Sequence, residues 1–281
     1  MEGKAVDPFV YGMVLDHYCA SRGGYRLVRS DEIPGGRQSG KSGLLDAYDW
    51  LRRKKLLTPN FKGLKHSSLF ILDKDVDDVM GIRRRSPHVI YTPTYDVEGL
   101  VFRNCDLVTA ISACCSVAPH QVNAILPDPD AWLTQAMRNW GAWVELCVLA
   151  KRSAVRGICN FGVWSQINPV ALGPVDAKLE NKYRKDLQAK CPLHAADFAI
   201  LATKIGRIVQ SRYANQREFE IFKGKWLPHL LAEELKVSLP AHFSRVKGFP
   251  NAIVGHAAQT LDASDPWADF IREGVDRALA A

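Results

Sequence analysis

The sequence predicts an α/β protein in which a parallel sheet flanked by helices precedes a mostly helical region. Strand and helix signals alternate over residues 1–100, which is the pattern of a parallel sheet. Beyond Phe102 the apolar residues recur at helical spacing, and few strand signals remain. We therefore expect a metal-binding sheet domain over residues 1–101 and a helical domain over residues 102–281.

The first part of the chain supplies the expected strands and their connecting helices. Helical spacing of apolar residues runs from Pro8 to Ala20, with the proline in the first turn. Tyr25 to Ile33 is predicted as a strand, and Ser42 to Lys55 as an amphipathic helix. His88 to Thr94 is predicted as a further strand. No strand precedes Glu2, because the sequence begins there, so we expect the first strand of the sheet to be missing.

The central strand is the apolar run Leu69–Leu72, which leads directly into carboxylates at Asp73, Asp75, Asp77 and Asp78. Side chains two apart on an extended backbone point the same way, so Asp73 and Asp75 are expected on one side. A cation relieves the repulsion between such carboxylates, and a few oxygen ligands suit Mg²⁺ or the similar Mn²⁺. The alternative is a strand that ends in a solvated acidic turn.

The second region is predicted from apolar spacing. Helices are expected over residues 104–117, 130–152, 176–190, 194–212 and 226–237, with a last helix from Asp265 to Leu279. Asp265 is the expected cap of that last helix, ahead of Pro266 in its first turn. A strand from Val155 to Val163 is the one exception to the helical pattern.

The composition is that of a globular protein, with 281 residues, 47% hydrophobic and 24% charged. No apolar run approaches the roughly 20 residues of a membrane span. The seven scattered cysteines contain no CxxC pair, which argues against a zinc ribbon or a disulfide framework. We expect a cytoplasmic protein without membrane contact. The net charge of +7 allows a nucleic-acid partner, and nothing in the sequence indicates the oligomeric state.

Residues 35–42 match the Walker A pattern, and the run Leu69–Asp73 is similar to a Walker B strand. A phosphate-binding loop needs a buried strand directly before it, and Arg29–Pro34 is polar there. The preferred interpretation is therefore a Gly- and Ser-rich turn that caps the following helix. A P-loop nucleotide-binding protein is the alternative function.

A second set of motifs spans the first 100 residues. In order, it comprises Glu2-Gly3-Lys4, Gly35-Gly36 opening a helix, Ile71-Leu72-Asp73-Lys74-Asp75, and Tyr91-Thr92-x-x-Tyr95-Asp96-x-Glu98. This order resembles a TOPRIM-like, OLD-related family of poorly characterised prokaryotic proteins, which includes nuclease effectors of PARIS-type anti-phage systems. The later stretch Lys223-Gly224-Lys225 is similar to a Gly-Lys element near the end of that family.

The resemblance implies a TOPRIM-like sheet and a Mg²⁺- or Mn²⁺-dependent nuclease in anti-phage defence, acting with a partner ATPase. It implies catalytic roles for Glu2, Asp73 and Asp75, which would also bind the metal. Asp77 would hold a metal-bound water. A degenerate scaffold that only binds a partner is a further alternative, because the first strand is missing.

Basic residues near these carboxylates are the expected nucleic-acid contacts. The resemblance places Lys4 and Lys74 on flanking phosphates. The cluster Arg83, Arg84 and Arg85 lies between the two expected central strands and is predicted to follow a phosphate backbone.

Overall fold

The protein is mostly helical: helices account for 62% of it and strands for 4%. The structure is a computed structural model, and it describes residues 1, 6–20, 23–33, 40–157, 161, 165–243 and 246–281. None of the helices in these ranges is both long and apolar enough to cross a membrane.

Short strands occur only in the first third of the described chain, and helices make up most of the rest. The strands are β1 (Asn60–Phe61), β2 (Leu64–Lys65), β3 (Phe70–Leu72) and β4 (Val89–Tyr91). The helices are α1 (Asp7–Cys19), α2 (Gly40–Arg53), α3 (Asp77–Met80), α4 (Val97–Asn104), α5 (Leu107–Cys115), α6 (Pro119–Ile125), α7 (Pro129–Asn139), α8 (Gly141–Arg152), α9 (Ala177–Lys190), α10 (Ala195–Ala214), α11 (Leu227–Ser238), α12 (Pro240–Phe243), α13 (Phe249–Gln259) and α14 (Asp269–Ala280).

The prediction of a TOPRIM-like parallel sheet is wrong. The strands of the described residues form two two-stranded sheets, antiparallel β1–β2 and parallel β3–β4. In the parallel pair Phe70 lies opposite Val89, and Leu72 lies opposite Tyr91. The central pair was thus located correctly from its apolar runs, but no further described strand extends it into a sheet.

The segment Tyr25–Ile33, predicted as a strand, contains no strand. Ser30–Glu32 forms a short 3₁₀ turn, in which the side chain of Glu32 accepts a hydrogen bond from the N–H of Arg29 at 2.9 Å. Ser, Asp and Glu side chains bond to nearby backbone groups in this way, which favours a turn over a strand. In the extended part before the turn, the carbonyl of Val28 accepts a hydrogen bond from the N-terminal amine of Met1 at 3.1 Å, and the hydroxyl of Tyr25 donates one to the carbonyl of Gly12 at 3.2 Å.

The helical predictions hold better, with boundaries that shift at polar caps. The helix expected over residues 104–117 begins later, at Leu107, because Asp106 caps α5 by accepting a hydrogen bond from the N–H of Thr109 at 2.9 Å. The helix expected over residues 130–152 is divided at Trp140 into α7 and α8. The strand expected from Val155 to Val163 is absent from its described residues, 155–157 and 161; the rest of it lies outside them.

The two faces of the β3–β4 pair are covered by different helices. Because strand side chains alternate, Phe70 and Leu72 face α2, where Tyr48 meets Phe70 edge-on at 5.5 Å between ring centres. Ile71 and Ile90 face the other way and join the main hydrophobic core. The pair is therefore buried on both faces, as its unbroken apolar runs predicted.

The last helix, α14, closes the second face of this pair. Gly274 lies so close to β4 that a Cβ there would be 2.8 Å from Cγ2 of Ile90. Near the end of the helix, the carbonyl of Ala278 accepts a hydrogen bond from Ser67 Oγ at 2.6 Å, and that of Leu279 accepts one from Lys65 Nζ at 2.8 Å. The end of the chain thus packs directly on its first quarter.

The main core draws residues from both expected domains. It contains Val10 and Val101 from the first region, and Trp143 and Leu231 from the second. The boundary expected near residue 101 remains a prediction.

Candidate functional site

The candidate site lies where β3 and β4 end side by side. Because the strands are parallel, the segments after Leu72 and after Tyr91 leave the pair at the same edge. These segments are tied together: the N–H of Lys74 donates to Oγ1 of Thr92 at 2.9 Å, and that of Asp75 donates to the carbonyl of Tyr95 at 2.7 Å. Polar residues that are far apart in the sequence are thereby brought to one place.

The ammonium of Lys41 is shared by two carboxylates that follow β3. Its Nζ donates to Oδ2 of Asp75 at 2.5 Å and to Oδ2 of Asp77 at 3.0 Å. Only 16% of the Lys41 side chain is exposed, against 24% for Asp75 and 6% for Asp77. Burial alone would lower the pKa of Lys41, but the two carboxylates raise it above its ordinary value. The lysine is therefore held in its charged form.

Asp75 reaches Lys41 because its backbone is left-handed, with φ at 48°. Asp is among the few residues besides glycine that adopt this conformation readily. Since β3 ends at Leu72, the strand alternation that predicted Asp73 and Asp75 on one side does not continue through Asp75. That expectation is corrected: regular extended geometry stops before the carboxylates begin.

Lys74, expected at a substrate phosphate, lies instead in a largely buried ion network. Its Nζ donates to Oε2 of Glu220 at 2.6 Å and lies 3.7 Å from Oδ2 of Asp78. Arg212 on α10 binds the same two carboxylates, Glu220 through Nη1 at 2.5 Å and Asp78 through Nη2 at 2.9 Å. With 6% of its surface exposed, Lys74 joins the segment after β3 to the helical region.

The segment after β4 is organised by the buried carboxylate of Asp96. It caps α4 by accepting from the N–H of Gly99 at 2.9 Å, and it also accepts from the N–H groups of Gly224 at 3.0 Å and Lys225 at 3.4 Å. Burial raises the pKa of Asp96 to about 6, although these N–H groups and nearby lysines oppose the rise. Asp96 thus fastens the Lys223–Lys225 loop to the site.

Glu98 lies in the first turn of α4, next to that loop. Its Oε1 is 3.8 Å from Nζ of Lys225, and its buried Oε2 has no hydrogen-bond partner among the described residues. Burial raises the pKa of Glu98 to about 8, and the charge of Asp96 contributes to the rise. Burial therefore favours the protonated form of this side chain, and the charge of Lys225 opposes it.

Two lysines of the loop complete the surroundings. Nζ of Lys223 donates to the carbonyl of Phe161 at 2.6 Å, and burial lowers the pKa of Lys223. Burial alone would also lower the pKa of Lys225, but the carboxylates around it, led by Glu98 and including Asp73, raise it. The site therefore mixes carboxylates with lysines. The loop has no periodic pattern, and its only sequence signal was a glycine between two lysines.

The predicted catalytic residues are only partly described. Glu2 and Lys4 lie outside the described residues, and Asp73 is buried, with 7% exposed, directly after β3. Across the described ranges, no three His, Cys, Asp or Glu side chains come together so that they could hold a metal ion. Asp75 and Asp77 do converge, on the ammonium of Lys41.

This pair nevertheless fits Mg²⁺. The ion is commonly bound by one or two protein carboxylates and completes its shell with waters and substrate phosphates. Asp75 and Asp77 aim one oxygen each at a common positive charge. Two carboxylates would leave the remaining positions around such an ion open to water or other ligands.

The Walker A-like segment is described only from Gly40 onward, since Pro34–Ser39 lies outside the described residues. Gly40 begins α2, and its N–H donates to Oγ of Ser30 at 2.9 Å. The next residue, Lys41, is the one that contacts phosphates in a P-loop. Here it contacts carboxylates. Whether the loop binds phosphate stays a prediction.

The arginine cluster Arg83–Arg85 is exposed and lies beside the end of β4. The guanidinium of Arg83 lies over the ring of Tyr91, with 4.5 Å between Cζ and the ring centre. Nη2 of Arg84 is 2.8 Å from Oδ2 of Asp49 on α2. The cluster is therefore held against the strand that leads into the site.

A scan against protein-family models matches none of them, and searches of curated proteins and of solved structures find no match. The function must therefore be inferred from the residues themselves.

Proposed function

We propose that this protein is a Mg²⁺-dependent enzyme that cleaves phosphodiester bonds in nucleic acid. The observation that supports this most is the pair Asp75 and Asp77, whose carboxylates meet one shared cation, Lys41, at the edge where β3 and β4 end. Two carboxylates around a single ammonium keep a net negative charge. A divalent ion in that position would neutralise them fully.

Each neighbouring residue has a role in this proposal. Asp75 and Asp77 would hold the metal, with Glu2 as the further ligand that the sequence resemblance implies. With an ion bound there, Lys41 would be available to contact a phosphate oxygen of the substrate. Bound Mg²⁺ would supply positive charge to the phosphate and to the leaving oxygen.

The reaction is hydrolysis. A water oxygen bonds to phosphorus and one P–O ester bond breaks. The proton of the water passes to a carboxylate, for which Glu2 is the candidate, and the leaving oxygen takes a proton from solvent. Lys225, held charged by the carboxylates around it, adds positive charge at the site. An anti-phage role with a partner ATPase rests on the sequence resemblance alone.

The test is cleavage of labelled DNA and RNA by the wild-type protein and by Asp75→Asn, with Mg²⁺ and with EDTA. Asn is the appropriate replacement because it tolerates the left-handed backbone at φ 48°, so the variant should fold. Asp269→Asn is the matched control, since that exposed carboxylate pairs with Arg272 at 2.7 Å on α14, outside the site.

We expect Asp75→Asn to be folded and inactive, and Asp269→Asn to be active. Cleavage that persists in EDTA, or full activity in Asp75→Asn, would end the proposal. The nucleotide-binding alternative is supported by the position of Lys41 in the first turn of α2. It predicts that calorimetry shows Mg²⁺-ATP binding that is lost in Lys41→Ala, without cleavage of nucleic acid.

A further inference from the structure

A groove runs beside the candidate site, between the arginine cluster Arg83–Arg85 and the last helix, α14. Its volume is about 640 Å³. Tyr91 of β4 forms part of its floor, and Arg277 and Phe270 on α14 form the opposite wall. The cluster and α14 lie far apart in the sequence, so this groove could not be recognised from the sequence.

Four arginines line the groove, together with the carboxylates of Asp77, Asp78 and Glu273, the last of which lies 3.4 Å from Arg277. Arg83, Arg84 and Arg85 line one side, and Arg277 lines the other. All four side chains are exposed. Arginine binds phosphate oxygens through two parallel N–H groups and also stacks on planar rings. A groove lined by these arginines suits a chain of phosphates.

The floor fixes one of these arginines for stacking. The guanidinium of Arg83 lies on the ring of Tyr91, whose hydroxyl accepts a hydrogen bond from the N–H of Arg84 at 2.9 Å. The Arg83 guanidinium is thus held against Tyr91. An arginine so placed can provide a flat, charged group on which an unpaired base stacks.

The groove borders the candidate site. Asp77, which shares Lys41 with Asp75, is one of the residues that line it, and so is Asp78. A strand lying along the arginines would therefore bring a phosphate to the carboxylate pair.

We infer that this groove binds single-stranded nucleic acid and guides it to Asp75 and Asp77, an inference that rests on the proposed function. Cavities of about 300–1,000 Å³ hold one small organic molecule, so 640 Å³ takes a nucleotide or two. An unpaired strand also has free base faces, which the Arg83 platform requires.

Binding without cleavage tests this inference. In EDTA, fluorescence anisotropy would measure the affinity of the wild-type protein for labelled oligothymidylate, oligouridylate and a duplex of equal length, over a range of salt concentrations. The groove variant is Arg83→Gln with Arg85→Gln, and Arg277→Gln tests the opposite wall. The matched control is Lys185→Gln with Lys190→Gln, which removes the same charge from exposed positions on α9.

We expect the wild-type protein to bind single strands more tightly than the duplex. The slope of log affinity against log salt should flatten by about 0.7 for each lost phosphate contact, hence by about 1.4 in the double groove variant. The Lys185 and Lys190 control should keep the wild-type slope. Melting curves would confirm that every variant is folded.

Equal affinity for duplex and single strands, no measurable binding, or an unchanged slope in the groove variants would overturn the inference. These failures are distinct from failure of the proposed function. If metal-dependent cleavage is unchanged in the groove variants, the proposed function stands but the substrate does not bind in this groove. If the groove variants weaken binding but no cleavage is seen, the protein binds single strands in the groove and is not a nuclease.

Discussion

The N–H of Gly224 donates to the buried carboxylate of Asp96 at 3.0 Å, across 128 positions of the chain. The contact is close on all sides: a Cβ on Gly224 would lie 2.0 Å from the backbone nitrogen of Gly99 and 2.3 Å from Oδ1 of Asp96. Only glycine fits here, because the crowding atoms are a helix backbone and the carboxylate that caps it. This contact fixes the Lys223–Lys225 loop to the site.

Gly224→Ala should therefore destabilise the protein, by at least about 1–3 kcal/mol in urea unfolding, since backbone must move to admit the methyl group. The control is Gly255→Ala on α13, where an added Cβ meets no atom within 4 Å. That change should be neutral or stabilising, because alanine favours a helix over glycine by about 0.5–1 kcal/mol. Equal effects of the two substitutions would contradict the described contact.

The pH dependence of stability should report Glu98. Its pKa rises from an ordinary 4.5 to about 8 in the folded protein, mainly through burial. Below pH 4.5 the side chain is neutral in both the folded and the unfolded state, so it does not oppose folding. As the pH rises towards 8, only the unfolded chain ionises freely, and stability falls.

Glu98→Gln removes this titration. We expect the melting temperature of the variant to fall less than that of the wild-type protein between pH 5 and pH 8, with the difference largest at the alkaline end. Asp96 stays in both proteins and also titrates, with a pKa of about 6, so some dependence should remain. Identical pH profiles would show that Glu98 is not buried as described.

Replacing Lys41 should make the carboxylate pair depend on metal. Lys41→Met keeps the length of the side chain but leaves Asp75 and Asp77 without their shared ammonium. In EDTA the variant should melt below the wild-type protein. Added Mg²⁺ should raise its melting temperature more than that of the wild-type protein, because the ion no longer displaces a lysine.

Lys236→Met is the control for this measurement. Lys236 also pairs with a carboxylate, Glu233 at 2.5 Å, but both side chains are exposed and the pair is on one helix. Exposed pairs contribute about 0–1 kcal/mol, so little should change with or without Mg²⁺. A wild-type Mg²⁺ response in Lys41→Met would count against a metal at the carboxylate pair.

The ion network around Glu220 predicts acid sensitivity. Burial would raise the pKa of Glu220, but Arg217, Lys74 and Arg212 together lower it below its ordinary value of 4.5. The carboxylate therefore stabilises the fold above pH 4.5, and this stabilisation is lost as the pH falls through the lowered pKa. Arg212→Ala should weaken the effect.

At neutral pH Arg212→Ala should cost about 1–3 kcal/mol in urea unfolding, because Asp78 and Glu220 each lose a charged donor. Arg212→Lys should retain only part of the stability that Arg212→Ala loses, since one ammonium does not reproduce the planar guanidinium that reaches both carboxylates. Arg277→Ala is the comparison: its 3.4 Å pair with Glu273 is exposed and worth little. Full rescue by lysine would show that charge alone matters.

The sequence predicted well those elements that depend on residues close together in the chain. The apolar run Leu69–Leu72 and the helical spacing over residues 42–55 are local patterns, and β3 and α2 form there. The sheet failed because a strand needs a partner that local pattern does not specify. Tyr25–Ile33 has strand-like residues, yet its Ser30–Glu32 end closes into a turn.

The candidate site shows the same division. Asp73, Asp75 and Asp77 were singled out because carboxylates follow a buried strand. Their partners were not predictable, since Lys41 and Asp75 meet only through packing of α2 on β3 and a left-handed backbone at Asp75. The ion pair of Lys74 was not predictable either, because its partner Glu220 lies 146 positions away.

The packing of α14 on β4 has a consequence for folding during synthesis. Ser67 and Lys65 bond to carbonyls 211 and 214 positions later, and Tyr18 to Asp276, 258 positions later. During synthesis the apolar face of Ile71 and Ile90 therefore emerges from the ribosome long before the helix that covers it. Contacts of such long range form slowly, and the exposed strand pair is the part of the nascent chain on which a chaperone would act.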